Sequence, residues 1–432
     1  MKTKKHSQLS TYHSQFKMTE VGMIPEDWEV SELKDTARVV DSLHQTPSFT
    51  NDGYSMVRVA DIKTGNLNLN STLKVCETVF LEFTKNYKPE RGDIVLSRVG
   101  SYGVSSFVET NEPFCMGQNT VVLQAKLPAR YLYFSLNSRS TRLQIEDGSY
   151  GSGYKSLSLK NIKELLIPLP PTKAEQEAIA EALSDVDALI ESLEQLITKK
   201  RQIKQGAMQA LLTGKKRLPG FSGEWKVRTL GEIFSFGGGL TASRDQLSFE
   251  GHCYLHYGDI HTSKRTFIDV GPEYQNIPKL DIPLKKVSPV SLLEDGDVVF
   301  VDASEDDEGA SKHVVVINPD GIPFISGLHT IVAKCKANTV DHKYRRFCFQ
   351  TTATKAQFRF FAVGTKVSGI SKANIAKINL PVPPLPEQEA VATILSDMDE
   401  DIAAIGQKLT KARQIKQGMM QELLTGRVRL IN

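Results

Sequence analysis

The tightest cluster of side chains able to do chemistry is His252, Cys253, His256 and His261. A His-x-x-x-His pair on a helix can chelate zinc. Here the neighbours Tyr254, Leu255 and Tyr257 read as a strand running into a turn, so a core or recognition role is expected ahead of a metal. Asp61-Ile62-Lys63 has the acid-x-Lys form of a nuclease fragment, but a related stretch reads Asp259-Ile260-His261, and no paired metal-binding acids accompany either. Gly237-Gly238-Gly239 lacks the Lys and the helix cue of a phosphate loop and is expected to be a turn. Pro170-Pro171-Thr172 and Pro383-Pro384-Leu385 lack both the acid or amide and the aromatic of the loop that holds a flipped adenine in amino-methyltransferases. The acidic run Asp302, Glu305, Asp306, Asp307, Glu308 does not match calcium-loop spacing and is expected to be solvated, although an acid in such a run can accept from a cytosine amino group. No catalytic residue, metal or cofactor is therefore expected.

What remains is organisation. A chain of 432 residues exceeds one ordinary domain. Its 40% hydrophobic and 24% charged residues, with mean hydropathy −0.25, suit a globular protein with a core in each half. No run approaches the roughly 18 apolar residues of a spanning helix. The basic, Ser-rich start from Met1 to Lys17 lacks the apolar segment of a secretory signal, so the cytoplasm is the expected compartment. Cys76, Cys115, Cys253, Cys335 and Cys348 are odd in number and scattered, which argues for reduced thiols and against disulfides or structural zinc. A net charge of +3 and a pI near 8.4 do not by themselves announce a nucleic-acid binder.

The strongest feature is a repeat. Glu175–Leu218 recurs as Glu387–Leu430 with roughly 27 of 44 positions identical. Both copies carry E-Q-E-A, L-S-D, R-Q-I-K-Q-G (Arg201 to Gly206, Arg413 to Gly418) and L-L-T-G (Leu211 to Gly214, Leu423 to Gly426). Ile179, Leu183, Val186, Ile190, Leu193 and Ile197 step by four and three, the seam of a coiled coil, and Val391, Leu395, Met398, Ile402, Ile405 and Leu409 repeat the steps. Two such stripes in one chain predict two long antiparallel helices, each begun by a proline cluster and ended at Thr-Gly. The stretches between, about residues 20–168 and 219–380, alternate β-branched runs with turn residues and are weaker copies of each other. Pro25 to Leu33 with Trp28 matches Pro219 to Leu230 with Trp225. Ala60-Asp61-Ile62 matches Gly258-Asp259-Ile260, Gly92 to Val95 matches Gly296 to Val299, and Gly117 to Val121 matches Gly327 to Ile331.

The reading is a mixed α/β (α+β) chain with pseudo-two-fold repetition. It comprises a tail (1–19), a first globular body (20–168), a long helix (169–214), a second body (215–380) and a second long helix (381–432).

These residues carry a family resemblance. P-L-P-P…E-Q-E-A-I-A…L-S-D-V-D, the heptad helix and R-Q-I-K-Q-G-x-M-Q-x-L-L-T-G, present in duplicate after each Trp-containing body, resemble the conserved regions of specificity subunits of type I restriction–modification enzymes. The resemblance spans the chain, with one departure: T-K-A before Glu175 shortens to L-P before Glu387. It implies a non-catalytic DNA-recognition subunit with two target-recognition domains, each reading half of a split double-stranded site. It further implies an antiparallel helical spacer that docks two modification (methyltransferase) subunits and two restriction subunits, and no membrane. A pair of readers at fixed distance would select half-sites at fixed separation, so helix length would become spacer length.

Within that frame the Gly-rich loop Tyr150 to Ser156, with Tyr150, Tyr154 and Lys155, and its counterpart Gly364 to Gly369, with Lys366, are candidate phosphate-gripping loops. A solvated hairpin is the alternative. Arg58, Arg98 and Tyr102 in the first body, and Lys312, His313 and Arg359 in the second, are candidate readers of bases or phosphates. The basic run Lys199, Lys200, Arg201, Lys204 and its copy Lys408, Lys411, Arg413, Lys416 is expected to face partner subunits or solvent, because it is kept while the bodies diverge. The competing function is a coiled-coil scaffold tethering two protein-binding domains.

Overall fold

The computed structural model describes residues 15–148, 156–304, 312–364 and 368–430. The chain forms two compact units: residues up to Glu194 together with those from Gln407 onward, and Gln195–Gly406. Each long helix thus gives one half to each unit.

The first body contains strands β1 (Ala37–Asp41), β2 (Tyr54–Val57), β3 (Gly65–Asn66), β4 (Leu73–Val75), β5 (Ile94–Ser97), β6 (Ser105–Phe107), β7 (Phe114–Met116) and β8 (Thr120–Ala125). Helices α1 (Ala129–Leu136), α2 (Arg139–Asp147) and α3 (Leu159–Lys163) follow, then the long α4 (Lys173–Leu211). The second body repeats the plan with β9 (Phe234–Gly238), β10 (His252–Leu255), β11 (Phe267–Asp269), β12 (Lys279–Leu280), β13 (Val298–Val301), β14 (His313–Ile317), β15 (Phe324–Ser326) and β16 (Thr330–Cys335). Its helices are α5 (His342–Cys348), α6 (Thr352–Phe361) and α7 (Lys372–Ile375), then the long α8 (Leu385–Leu423).

The sheets agree strand for strand. A five-stranded sheet runs β1-β8-β5-β6-β3 in one body and β9-β16-β13-β14-β11 in the other, beside three-stranded sheets β7-β2-β4 and β15-β10-β12. Pairings are antiparallel except β2 with β7, β3 with β6, and their counterparts β10 with β15 and β11 with β14. Central strands β5 and β13 are buried along their whole length, as the unbroken apolar runs Ile94-Val95-Leu96 and Val298-Val299-Phe300-Val301 require. Phe16–Thr19 and Gly22–Pro25 add a hairpin ahead of the first body.

Every residue of both helical seams is buried or half-buried, while Leu189, Leu196, Ile203 and Ile415, off the seam, are exposed. The seam ends enter the body cores. Ile179 and Leu183 of α4, with Leu423 at the end of α8 and Leu424 just past it, join Trp28, Leu96, Tyr131 and Phe134. Val391 and Leu395 of α8, with Met208 and Leu211 of α4, join Phe234, Phe300, Tyr344 and Phe347. Burying each large aliphatic chain contributes about 1.5–3 kcal/mol. Within each unit the two helix segments run antiparallel and repeat one device. Lys416 Nζ lies 2.6 Å from Asp187 and 5.7 Å from the Phe134 ring. Lys204 Nζ lies 2.5 Å from Asp399 and 5.3 Å from the Phe347 ring. Lys200 pairs with Asp401 and Arg413 with Glu194. Four members of the basic run thus pair within the chain, because heptad flanks on one helix lie beside those of the other, while Lys199, Arg201, Lys408 and Lys411 are exposed.

A second repeated device closes each body. Arg429, just past α8, donates to Glu175 at the start of α4, with Nη2 2.8 Å from Oε2, and reaches both oxygens of Asp27 at 2.9 Å. Arg217, just past α4, donates to Glu387 at the start of α8 at 2.5 and 2.6 Å, and Trp225 Nε1 donates to the same carboxylate at 2.9 Å. The guanidinium carbon stands 5.8 Å from the Trp28 ring and 5.5 Å from the Trp225 ring. The turns that deliver these arginines pass through Gly426 and Gly214 at φ +68° and +70°. A Cβ at Gly426 would stand 2.4 Å from Pro25 Cγ, so the position demands glycine for space as well as conformation.

Glu175 is 3% exposed, so losing Arg429 would strand a buried carboxylate, at a cost of about 3–5 kcal/mol. Thermal melting should show Arg429→Met clearly destabilised and the double variant Arg429→Met/Glu175→Met less so. Equal melting of the single variant and the unaltered chain would refute the clamp.

Candidate nucleic-acid interface

In both bodies three segments meet at one edge: the residue after β5 or β13, the residue after β2 or β10, and the turn before β8 or β16. The turns contain Asn119 (φ +62°) and His329 (φ +56°), the non-glycine residues with left-handed backbone among those described. Such strain persists where surrounding structure enforces it and is enriched at functional sites. The enforcing bonds are the same in each body. Arg98 N donates to Asn119 O at 2.9 Å and Asp302 N to His329 O at 3.1 Å, while Gly117 N donates to Val57 O at 2.8 Å and Gly327 N to Leu255 O at 2.9 Å. The backbone is common and the side chains differ, including a change of sign from Arg98 to Asp302.

In the first body Arg98 Nη1 donates to Asp41 Oδ1 at 2.8 Å and Nε to Leu157 O at 3.2 Å, leaving the side chain 16% exposed. His44 Nε2 sits 3.0 Å from the other Asp41 oxygen. Arg58 opens the 3-10 turn Val59–Asp61, pairs with Asp61 at 3.2 Å and lies 6.0 Å from the Phe49 ring. Its Cγ is 3.1 Å from where a Cβ on Gly117 would sit, so Arg58 and Arg98 flank the Gly117–Asn119 turn. Gln118 on that turn is exposed and accepts from Thr46 at 3.2 Å. Tyr102 is half-buried against the body core, with only part of its ring outward.

In the second body Asp302 pairs with His329 Nδ1 at 3.2 Å. Tyr257 packs among His256, His261 and His329 at ring distances of 4.5, 6.1 and 5.3 Å. Lys312 Nζ donates to His261 O at 3.0 Å, and Arg244 pairs with Asp259 at 3.0 Å. His256 caps the helical turn Tyr257–Thr262 by accepting from Gly258 N at 3.1 Å. Burial, then Arg244, holds its pKa below the ordinary 6.5, and His329 adds to that while Asp259 opposes it. No group of three or more His, Cys, Asp or Glu among the described residues could hold a metal ion.

His313 is corrected. It is 5% exposed on β14, its ring 5.6 Å from Phe300 and 5.0 Å from Phe349, so alternation on the strand turns it into the core and away from any ligand. Arg359 is exposed on α6. Tyr150, Tyr154, Lys155 and Lys366 lie outside the described residues. The equivalent turns bearing Gln118, Asn119 and His329 beside Asp302 were not singled out from sequence, although the matching Gly117 to Val121 and Gly327 to Ile331 stretches held the signal.

Two α+β bodies with equivalent edges, closed by duplicated long helices, define a tandem-repeat protein without a catalytic constellation among the described residues. Residues 25–205 and 222–414 match the model of the type I restriction modification DNA specificity domain, and the chain belongs to that family as a non-catalytic specificity subunit. It is 27% identical to the MjaX specificity subunit of a type I restriction enzyme from Methanocaldococcus jannaschii, over 96% of this chain and 97% of that one. It is 23% identical to the MjaVIII specificity subunit of the same organism, over 95% of each. The S subunit of a type I restriction-modification system from M. genitalium has the same fold, with TM-score 0.56 and 18% identity over 92% of this chain and 96% of that one.

The folded state holds fewer protons on His256 than the unfolded chain, so this ring's contribution to stability is complete above about 6.5 and is lost as pH falls below it. Full-chain melting should therefore decline more steeply from pH 7 to 5 than in His256→Asn, whose amide can cap without titrating. Parallel curves for the two proteins would show that His256 is not the group responsible.

Proposed function

We propose that the chain reads a bipartite double-stranded DNA site, one half per body, inside a complex with two modification subunits and two restriction subunits, and that it acts in the cytoplasm. The observation that carries this reading is the pair of equivalent edges with one backbone and different side chains. A common frame with divergent readers is what two unlike half-sites require. Arg98 and Arg58, with Tyr102 beside them, are the readers of the first half. A guanidinium pairs best with guanine O6 and N7, and Asp41 and Asp61 fix the two forks in place. Asp302, His329 and Lys312 serve the second half, where a carboxylate accepts from a cytosine or adenine amino group. The loops bearing Tyr150, Tyr154, Lys155 and Lys366 are assigned to phosphate contacts.

Docking belongs to the long helices. Their sequences stay alike while the bodies diverge, and Leu189, Leu196, Ile203 and Ile415 are exposed off the seam. Large exposed apolar side chains on a helix suit a protein partner. The alternative, a scaffold tethering protein-binding domains, predicts no preference among duplexes.

The chain should be assembled with its modification subunits and the genomic sites that it directs to methylation sequenced. Arg98→Ala should relax the first half-site by about 1–3 kcal/mol, roughly 5- to 150-fold in preference, and leave the second half unchanged. Loosening of both halves together would overturn the one-body-per-half reading, and equal binding to specific and shuffled duplexes would favour the scaffold. Exchanging the whole first body for that of a relative should likewise rewrite only the first half.

A further inference from the structure

We propose that the outer face of α6, with Val363 just past its end and Lys372 and Lys377 about the adjoining α7, grips the sugar–phosphate backbone of duplex DNA beside the second half-site; the inference rests on the second body being a DNA reader. Three observations converge on this face.

The first is charge. From His342 to Pro386 the sequence contains no Asp or Glu, although the whole chain nets only +3. Lys343, Arg359, Lys372 and Lys377 in that stretch are exposed and Lys355 is half-exposed. The corresponding stretch of the first body carries Glu146, Asp147 and Glu164 among its basic residues. The excess therefore belongs to one body and is not a property of the fold.

The second is shape. The outward row of α6 is Thr352, Ala353, Ala356, Arg359 and Phe360, residues one helical face apart. Small side chains near its start let a backbone approach closely. At its end Phe360 is 81% exposed and Val363 74% exposed, and neither is part of a core cluster. Large apolar groups standing in water at the end of a helix that carries cations complement a polyanion that offers deoxyribose and base edges between its phosphates.

The third is position. Val363 and Gly369 exchange backbone hydrogen bonds at 2.8 and 2.9 Å, and Ile370 N donates to Asp302 O at 2.8 Å. A Cβ at Gly369 would lie 3.6 Å from Asp302 O and 3.9 Å from Val363 O. The end of α6 is thus next to the Asp302–His329 pair. Lys372 Nζ reaches to 3.1 Å from where a Cβ on Gly238 would stand, at the end of β9, the counterpart of Asp41 in the first body. An anionic anchor at the first edge is replaced by a cation at the second.

The test uses the full chain in complex with its modification subunits and a duplex carrying both half-sites, titrated across potassium chloride concentrations. Replacing Lys355, Arg359, Lys372 and Lys377 by Gln should weaken binding, and should flatten the slope of log affinity against log salt by about 0.9 for each phosphate no longer neutralised. The methylated sequence should stay the same. Phe360→Ala with Val363→Ala should weaken binding about tenfold with the slope retained. Replacing Arg139 and Arg142 of the first body by Gln should flatten the slope less. Unchanged affinity and slope in the four-site variant would overturn the proposal. Loss of the modification subunits at an unchanged salt slope would also overturn it, by making the face a protein-docking surface. If the unaltered complex binds duplexes without sequence preference, yet the four-site variant still loses salt-sensitive binding, the half-site reading falls and the grip stands.

Discussion

The structure depends on one charged contact made twice: an arginine past the end of one long helix gripping a buried glutamate at the start of the other. A carboxylate 1–3% exposed, as Glu387 and Glu175 are, is tolerable only when a cation and further hydrogen bonds replace its water. Arginine suits this because its planar fork meets two oxygens at once and keeps its charge when desolvated. Neither body is therefore complete without the end of a helix that begins elsewhere in the chain. The clamp sits on the tryptophan that opens each body, so the entry strand, the start of one helix and the close of the other are fixed together.

That constraint accounts for which parts of the repeat stay alike. Glu175 and Glu387, Arg217 and Arg429, Gly214 and Gly426, Lys204 and Lys416, and Asp187 and Asp399 are identical across the two copies because each is half of an interaction built twice. The edge proposed for recognition is under the opposite rule. Its turn is held by backbone bonds, from Arg98 N to Asn119 O and from Asp302 N to His329 O, which make no demand on side-chain type. Arginine in one body stands where aspartate stands in the other on the same backbone frame, so the side chains are free to differ.

The division between legible and hidden features follows sequence distance. The helices and their seams were legible because heptad spacing is local, and the central strands because unbroken apolar runs are local. The clamp was not, since Arg429 and Glu175 stand 254 residues apart and each alone reads as a solvated surface charge. His313 misled for a related reason. A histidine beside Lys312 reads as a polar pair, but on a strand adjacent residues face opposite ways, and the ring went inward against Phe300 and Phe349. Arg58 and Arg98 were singled out by residue type, while the aspartates that pair with them were not. Asn119 and His329 have ordinary identities and an uncommon backbone, which only the fold reveals.

Net charge misled most. A value of +3 over 432 residues suggests weak electrostatics, but what a duplex experiences is the field within roughly 8–10 Å of its phosphates, not the sum over the chain. Several acids are spent internally: Asp187 and Asp399 on lysines of the long helices, Glu175 and Glu387 on arginines, Asp41 on Arg98. Several cations of the second body between His342 and Pro386 have no acid near them in sequence and lie at the surface. Each such pair removes one charge of either sign and leaves the sum unchanged, so the sum does not say where the remaining cations stand. A mildly basic composition is therefore compatible with a local excess of cations in one stretch of the second body.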